Sequence, residues 1–491
     1  MAGDPSILVI DAGTTSTRAM LFAPDGACLG VEQKELAQHY PRPGWVEHDP
    51  EEIWRSSLGC ARAVVEQAGG AERIAAIGIT NQRETILFWS RRTGRALAPA
   101  IVWQDRRTAD LCAMLKAEGH EPALQGKTGL LLDPYFSASK IAWAMEHIPE
   151  LKAAGADLCI GTVESWLVFS LTGGLHVSDA TNASRTALME IKDGGWDVGL
   201  IDLFGVPAGS LPEIVDCAGR LGETEAEMFG RPIPIAGMAG DQQAAAIGQA
   251  CLAPGDTKGT YGTGAFVLTH TGAEAPLSRN RLLTTIAWQL GGKRAYALEG
   301  SVFVAGSLIQ WLRDELGLIA ASADSEDVAR SVADNEGVYL VPALAGLGAP
   351  HWRPGARAAI SGLSFATGRA HIVRAALEAM AHQTHDLMTA FAADGAAWQR
   401  LRVDGGMSAN DWLAQDLADM LDLEVERPAF VETTALGAAM LAGVGAGLFG
   451  SLEEAAAMRG GVERFAPAMA PAEREGRLEG WKKAVAAVLA S

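Results

Sequence analysis

Residues 7–21 read ILVIDAGTTSTRAML. An apolar run reaches Asp11, turns through Gly13 and a row of hydroxyls, and becomes apolar again at Ala19. Short apolar runs around a Gly/Thr turn read as a β-hairpin. Successive N–H groups in a glycine turn can wrap a phosphate, and threonine hydroxyls add donors. A carboxylate closing a buried strand is better explained by an ion than by packing. Mg2+ suits it, because magnesium keeps most of its water and needs few carboxylates. Taken alone, the stretch is equally an ordinary hairpin turn.

The pattern returns at Thr260–Leu268, TYGTGAFVL. Gly262 and Gly264 allow close backbone approach around Thr263, whose hydroxyl can donate to a phosphate oxygen. Just before it, a small-residue helix ends near Cys251 and Pro254-Gly255-Asp256 makes a turn. The chain therefore divides into residues 1–250 and 251–491. Two halves that each open on a Gly/Thr hairpin imply two related α/β domains with a cleft between them.

The flanking segments agree with that plan. HDPEEIW (His48–Trp54) starts a helix, with Asp49 as N-cap, Pro50 in first position and Glu52 as capping-box partner. IAAIGIT (Ile74–Thr80) reads as a buried strand and KIAWAMEHI (Lys140–Ile148) as a helix. A long helix over Ile372–Phe391, a strand at LRVDGG (Leu401–Gly406) and a helix from Asn410 follow.

Composition sets the outer limits. A chain of 491 residues is too long for one ordinary core. Hydrophobic content of 48% with 56 glycines fits an α/β protein rich in tight turns, and 20% charged residues argue against a long disordered tail. A net charge of −19 repels nucleic acid and anionic lipid, so any bound phosphate needs a local cradle. The six cysteines form no CxxC pair and read as buried thiols of a reducing compartment. The start, MAGDPSILVID, lacks a signal-peptide pattern, and no apolar run reaches ~18 residues. A cytoplasmic protein is expected.

GITNQRET (Gly78–Thr85) is the most informative substrate candidate. A strand ends in adjacent Asn, Gln, Arg and Glu, and a small polyol needs both donors and acceptors because every hydroxyl is both. A surface Arg83–Glu84 ion pair is the plainer reading, but it leaves the density of polar groups unexplained. In AGDQQAA (Ala239–Ala245), Asp241 reads from sequence alone as a helix N-cap. In LRVDGGMSAN, Asp404 to Asn410 form a strand-to-helix turn that can lie flat against a base or ribose, or is simply a routine βα loop. GAGLFG (Gly445–Gly450) fits GxGxxG but follows a helical run, so it reads as a helix end. Gly126–Thr128 lacks the upstream glycine of a P-loop, and His382 and His385 read as core or surface histidines.

DAGTTSTR, YPRPGWVEHDPEEIW, ITNQRET, IVWQDRRT, DPYFSASK, TNASRT, AGDQQAA, TYGTGAF, EGSVFVAGSLIQWLRDE and DGGMSAN occur in one order along the chain. In that order they resemble the FGGY carbohydrate kinases, and specifically the glycerol-phosphorylating branch, from about Ile7 to Trp481. YFSASKIAWAMEH and GLSFATGRAHIVRAALEA resemble the family's two general signatures, the first with Ala144 where a larger apolar residue is usual.

The resemblance implies two ribonuclease-H-like domains of the actin/Hsp70 ATPase type, with ATP between them. It implies that Thr14, Thr15, Ser16, Arg18 and Thr263 contact phosphate, and that Gly306, Gln310, Gly406 and Asn410 form the nucleotide pocket. Asp11 and Asp241 would lie near Mg2+, with Asp241 as general base. Arg83, Glu84, Tyr135, Asp241 and Gln242 would hold three hydroxyls, with Trp103 and Phe266 against the hydrocarbon side. The implied reaction is ATP-dependent phosphorylation of glycerol, by a homodimer or homotetramer. EAEMFGRP lacks the glycine-rich loop that binds fructose 1,6-bisphosphate in enteric relatives. Glu227 stands where some Gram-positive relatives carry a phosphorylatable histidine, so neither control is expected. His351, Arg353 and Ala358 depart from the family's usual Tyr, Asp and Gly. A kinase of erythritol, threitol or dihydroxyacetone is the nearest alternative. A non-catalytic actin-like nucleotide switch is the alternative of another class, but it has no use for NQRET, Trp103 and Tyr135 together.

Overall fold

The computed structural model describes residues 5–353 and 355–490; the opening MAGD lies outside them. Both glycine hairpins form: Ser6–Ala12 pairs antiparallel with Ser16–Phe22, and Asp256–Tyr261 with Ala265–Gly272. Each hairpin is the heart of one sheet. The first sheet runs Ala218–Glu223, Pro234–Gly240, Ile74–Asn81, Ser6–Ala12, Ser16–Phe22, Cys28–Glu35. The second runs Leu283–Leu290, Lys293–Val302, Ala265–Gly272, Asp256–Tyr261, Arg400–Asp404, Val425–Pro428, Val462–Phe465.

In both sheets the hairpin carries a third antiparallel strand on one side and two parallel strands on the other. The expected pair of ribonuclease-H-like α/β domains is therefore present as a repeated topology. Parallel neighbours align their carboxyl ends, which is where open α/β sheets bind ligands.

Each fifth strand leads into a small-residue helix, Asp241–Gly248 or Thr433–Gly445. The two helices cross in near backbone contact. A Cβ added to Gly437 would lie 1.8 Å from the Ala244 carbonyl oxygen, and one on Gly248 would lie 2.0 Å from that of Thr433. Thr433–Gly445 is apolar nearly all round and buries Ala438, Ala439 and Ala442 in one core with Ile7, Val9 and Ala236. The late helix thus packs on the early sheet.

Two local expectations are refined and two hold. Asp49 caps Pro50–Gln67 by accepting from the Glu51 N–H at 2.9 Å, without the reciprocal bond expected of Glu52. Asp241 is the first residue of its helix, and Gly240 occupies the cap position. The GAGLFG stretch follows the helix end at Gly445, as read, and His382 is a core residue stacked on Trp481 at 5.2 Å.

Candidate active site

Asp11 pairs in register with Thr80, and Thr80 in turn with Ala239. Three carboxyl ends therefore deliver Asp11, the NQRET segment and Asp241 to one edge of the first sheet. Beyond Asn81 the chain makes a γ-turn: the Thr85 N–H donates to the Arg83 carbonyl at 2.8 Å across Glu84, whose φ is +61°. This positive-φ form is rare and strained, and such strain collects at functional sites. The turn also breaks strand alternation, so the adjacent Arg83 and Glu84 side chains share one cavity.

That cavity, of about 40 Å³, is lined by Thr14, Arg83, Glu84, Trp103, Tyr135, Asp241, Gln242 and Phe266. At 10–15 Å³ per water-sized position it accommodates roughly three such groups. Trp103 forms one wall, edge-on to Tyr135 at 5.5 Å and to Phe266 at 6.4 Å. Its Nε1–H donates to Thr14 Oγ1 at 2.9 Å, which ties the wall to the first hairpin. The Gln82 side-chain amide donates to the Gly13 carbonyl at 3.0 Å and anchors the same hairpin to NQRET.

Arg83 is 2% exposed and lies 3.2 Å from Asp241 Oδ1. Burial pushes the Asp241 carboxyl above its ordinary range, while Arg83 and Lys258 pull it back and Asp11 pushes it further up. Burial likewise raises Glu84 against the pull of Arg83 and Arg185. Lys258, fully buried, donates to Gln242 Oε1 and to Thr260 Oγ1. Asp241 thus opens on the cavity with a carboxyl group whose basicity burial raises.

The remaining expected residues lie elsewhere around the cleft. Arg18, expected at phosphate, bonds Asp11 Oδ2 at 2.8 Å and Glu432 Oε2 at 2.5 Å, so it bridges the two halves. Thr15 is exposed at the hairpin tip, and Ser16 begins the second strand. Across the cleft, the Thr263 carbonyl accepts from Ala305 N–H and Ser307 N–H, and the Gly306 N–H donates to the Gly262 carbonyl at 2.9 Å. A Cβ at Gly306 would lie 2.6 Å from that carbonyl oxygen, so only glycine lets the helix Gly306–Asp314 meet the hairpin. Gln310 and Gly406 are exposed, and Asn410 caps Asp411–Leu421 through Leu413 N–H at 2.9 Å.

Three residues escaped the sequence reading. Arg185 and Glu299 are both fully buried and hydrogen-bonded to the NQRET pair, and Lys258 holds Gln242. Each carried a visible signal: a charge inside an apolar or small-residue run, in NASRT, YALEGSV and DTKGTY.

A repeated domain with phosphate-type hairpins facing a small polar cavity defines a phosphoryl-transferring enzyme of small-molecule substrates. Residues 6–248 match the N-terminal domain of the FGGY family of carbohydrate kinases, and residues 258–446 match its C-terminal domain. The chain belongs to that family. It is 55% identical to a glycerol kinase of Methylobacterium nodulans, covering 98% of both chains. It is 54% identical to one of Gluconobacter oxydans, over 99% of this chain and 96% of the relative. Its fold matches the crystal structure of Plasmodium falciparum glycerol kinase with ADP at a TM-score of 0.95 and 37% identity, over 99% and 98% of the two chains.

Proposed function

We propose that this chain transfers the γ-phosphoryl group of ATP to a terminal hydroxyl of glycerol, giving sn-glycerol 3-phosphate. The observation that carries the reading is the single small cavity uniting all seven residues expected at the polyol. Full-length similarity to glycerol kinases supports the substrate, and the ADP complex of the Plasmodium relative supports a nucleotide.

Arg83 donates to hydroxyl oxygens, and Glu84 and the Gln242 carbonyl accept from hydroxyl protons. Trp103 and Phe266 cover the C–H side and exclude water. Asp241 takes the proton of the attacking hydroxyl as its oxygen bonds phosphorus in line and ADP departs. Thr14, Thr15, Ser16, Arg18 and Thr263 line the phosphates. Gly306, Gln310, Gly406 and Asn410 hold the nucleoside. Closure of the halves suppresses transfer to water.

Among the described residues no group of three or more His, Cys, Asp or Glu is arranged for a metal. Two carboxylates, Asp11 and Asp241, are close enough for Asp11 to raise Asp241. That pair fits Mg2+, which keeps its water and shares substrate phosphates. Held there, the ion would neutralise charge on the phosphoryl oxygens.

We also propose the division at residues 250/251 and a homodimer or homotetramer in the cytoplasm. Six free cysteines, five of them buried, agree with a reducing compartment. Among the described residues no helix is long and apolar enough to cross a membrane.

A coupled ADP-release assay across glycerol, erythritol, threitol and dihydroxyacetone tests the proposal. The highest kcat/KM is expected on glycerol; a four-carbon polyol in first place rejects it.

A further inference from the structure

Behind the cavity lies a closed ring of four charges. Glu299 Oε2 accepts from Arg83 Nη1 at 2.6 Å, and Glu299 Oε1 accepts from Arg185 Nη2 at 2.8 Å. Arg185 Nε donates to Glu84 Oε1 at 2.6 Å, and Arg83 Nε lies 3.9 Å from the same oxygen. Every member is 2% exposed or less. Arg83 and Glu84 face the cavity, whereas Glu299 and Arg185 stand behind them and do not line it. Glu299 comes from Lys293–Val302 of the second sheet, and its three partners come from the first half.

We propose that Glu299 and Arg185 are positioning residues: they fix Arg83 and Glu84 at the substrate hydroxyls. The proposal rests on reading the cavity as the polyol site. Buried ion pairs are costly to desolvate and add little net stability over apolar packing. A ring that both halves contribute to is better explained by what it orients. Burial opposes ionisation of Glu299, yet Arg185 and Arg83 hold its carboxyl down at about 2, so Glu299 stays charged.

Removing the charge of Glu299 leaves Arg83 with two other anions in reach, Glu84 and Asp241. A guanidinium no longer held by the Glu299 carboxylate is free to leave its position at the hydroxyls. Glu299→Gln keeps the shape but turns an NH2 donor towards a guanidinium donor. Glu299→Asp keeps the charge at shorter reach.

The test measures kcat and both KM values of the full chain, and glycerol affinity by calorimetry. Glu299→Gln is expected to raise the glycerol KM at least tenfold and leave the ATP KM within twofold. Glu299→Asp is expected to restore part of the glycerol affinity. A folded Glu299→Gln enzyme with unchanged glycerol KM overturns the positioning role alone. Equal rises in both KM values overturn it too, as they mark general loosening. If Glu299→Gln does not fold, Glu299→Asp decides: a glycerol KM within twofold of wild type overturns the role. A wild-type chain without glycerol-dependent turnover overturns the polyol reading, and the role with it.

Discussion

The Arg83 guanidinium stands 3.2 Å from the carboxylate of Asp241, one side chain 2% exposed and the other 32% open to the cavity. An arginine that close holds a base in place while limiting its basicity; burial works the other way and dominates. In the proposed transfer, Asp241 takes the hydroxyl proton beside Arg83. Asp241→Asn should therefore lower kcat by about 10²–10⁴-fold, the range of a lost general base. Glycerol affinity by calorimetry should stay within a few-fold, since the amide still fills the position. Near-normal turnover in the variant would remove Asp241 from the base role.

The same residue sets a pH dependence. Its carboxyl is raised above the ordinary value, and only the deprotonated form accepts a proton. The kcat of the wild type should fall as pH drops through that raised value and be flat above it. A profile with no acid limb down to the ordinary aspartate range would contradict the assignment.

Trp103 joins two parts of the proposed site, through its ring against Tyr135 and through Nε1–H to Thr14. Trp103→Phe removes one hydrogen bond, typically about 0.5–1.5 kcal/mol, so the glycerol KM should rise several-fold. Trp103→Ala opens the wall, and the ratio of kcat/KM for erythritol over glycerol should increase. Steady-state kinetics on both polyols measure this. A ratio that falls or stays level in the alanine variant would show that Trp103 does not bound the cavity.

How much of this was legible follows from how local each feature is. The two hairpins were readable because glycine and threonine dictate a turn within a few residues. NQRET was readable as a dense polar cluster, but the γ-turn that brings Arg83 and Glu84 to one side was not, since nothing in the residue type announces φ of +61° at a glutamate. Glu299 was a carboxylate in an apolar strand, yet its partner Arg83 lies 216 residues away. Arg18 shows the converse: resemblance assigns it to phosphate, while the fold also gives it Asp11 and the distant Glu432 as partners. Pairings of that span are set by the packing of the halves, and no short window contains them.

Asn410 combines two roles that a pair of variants can separate. Its Oδ1 caps Asp411–Leu421, and its position beside Gly406 serves the proposed nucleotide pocket. Asn410→Ala should lose about 1 kcal/mol of stability and raise the ATP KM. Asn410→Ser keeps a capping oxygen, so thermal unfolding should stay near wild type while the ATP KM still rises. An ATP KM that recovers fully in the serine variant would reduce Asn410 to a helix cap.

The crossing of Asp241–Gly248 with Thr433–Gly445 sets a final prediction, of opposite sign at two glycines. A Cβ at Gly437 would meet the Ala244 carbonyl oxygen at 1.8 Å, backbone against backbone, with no flexible side chain to yield. Gly437→Ala should destabilise by about 1–3 kcal/mol or more, as overpacking does. It should also disturb turnover, because Asp241 heads the helix that must shift. Gly59 lies within the helix Pro50–Gln67, and a Cβ there meets nothing within 4 Å. Gly59→Ala should stabilise by about 0.4–1 kcal/mol through the unfolded chain and leave kcat unchanged. Urea midpoints moving in opposite directions would bear out the close helix contact; a Gly437→Ala midpoint equal to wild type would show that the two helices do not approach through these glycines.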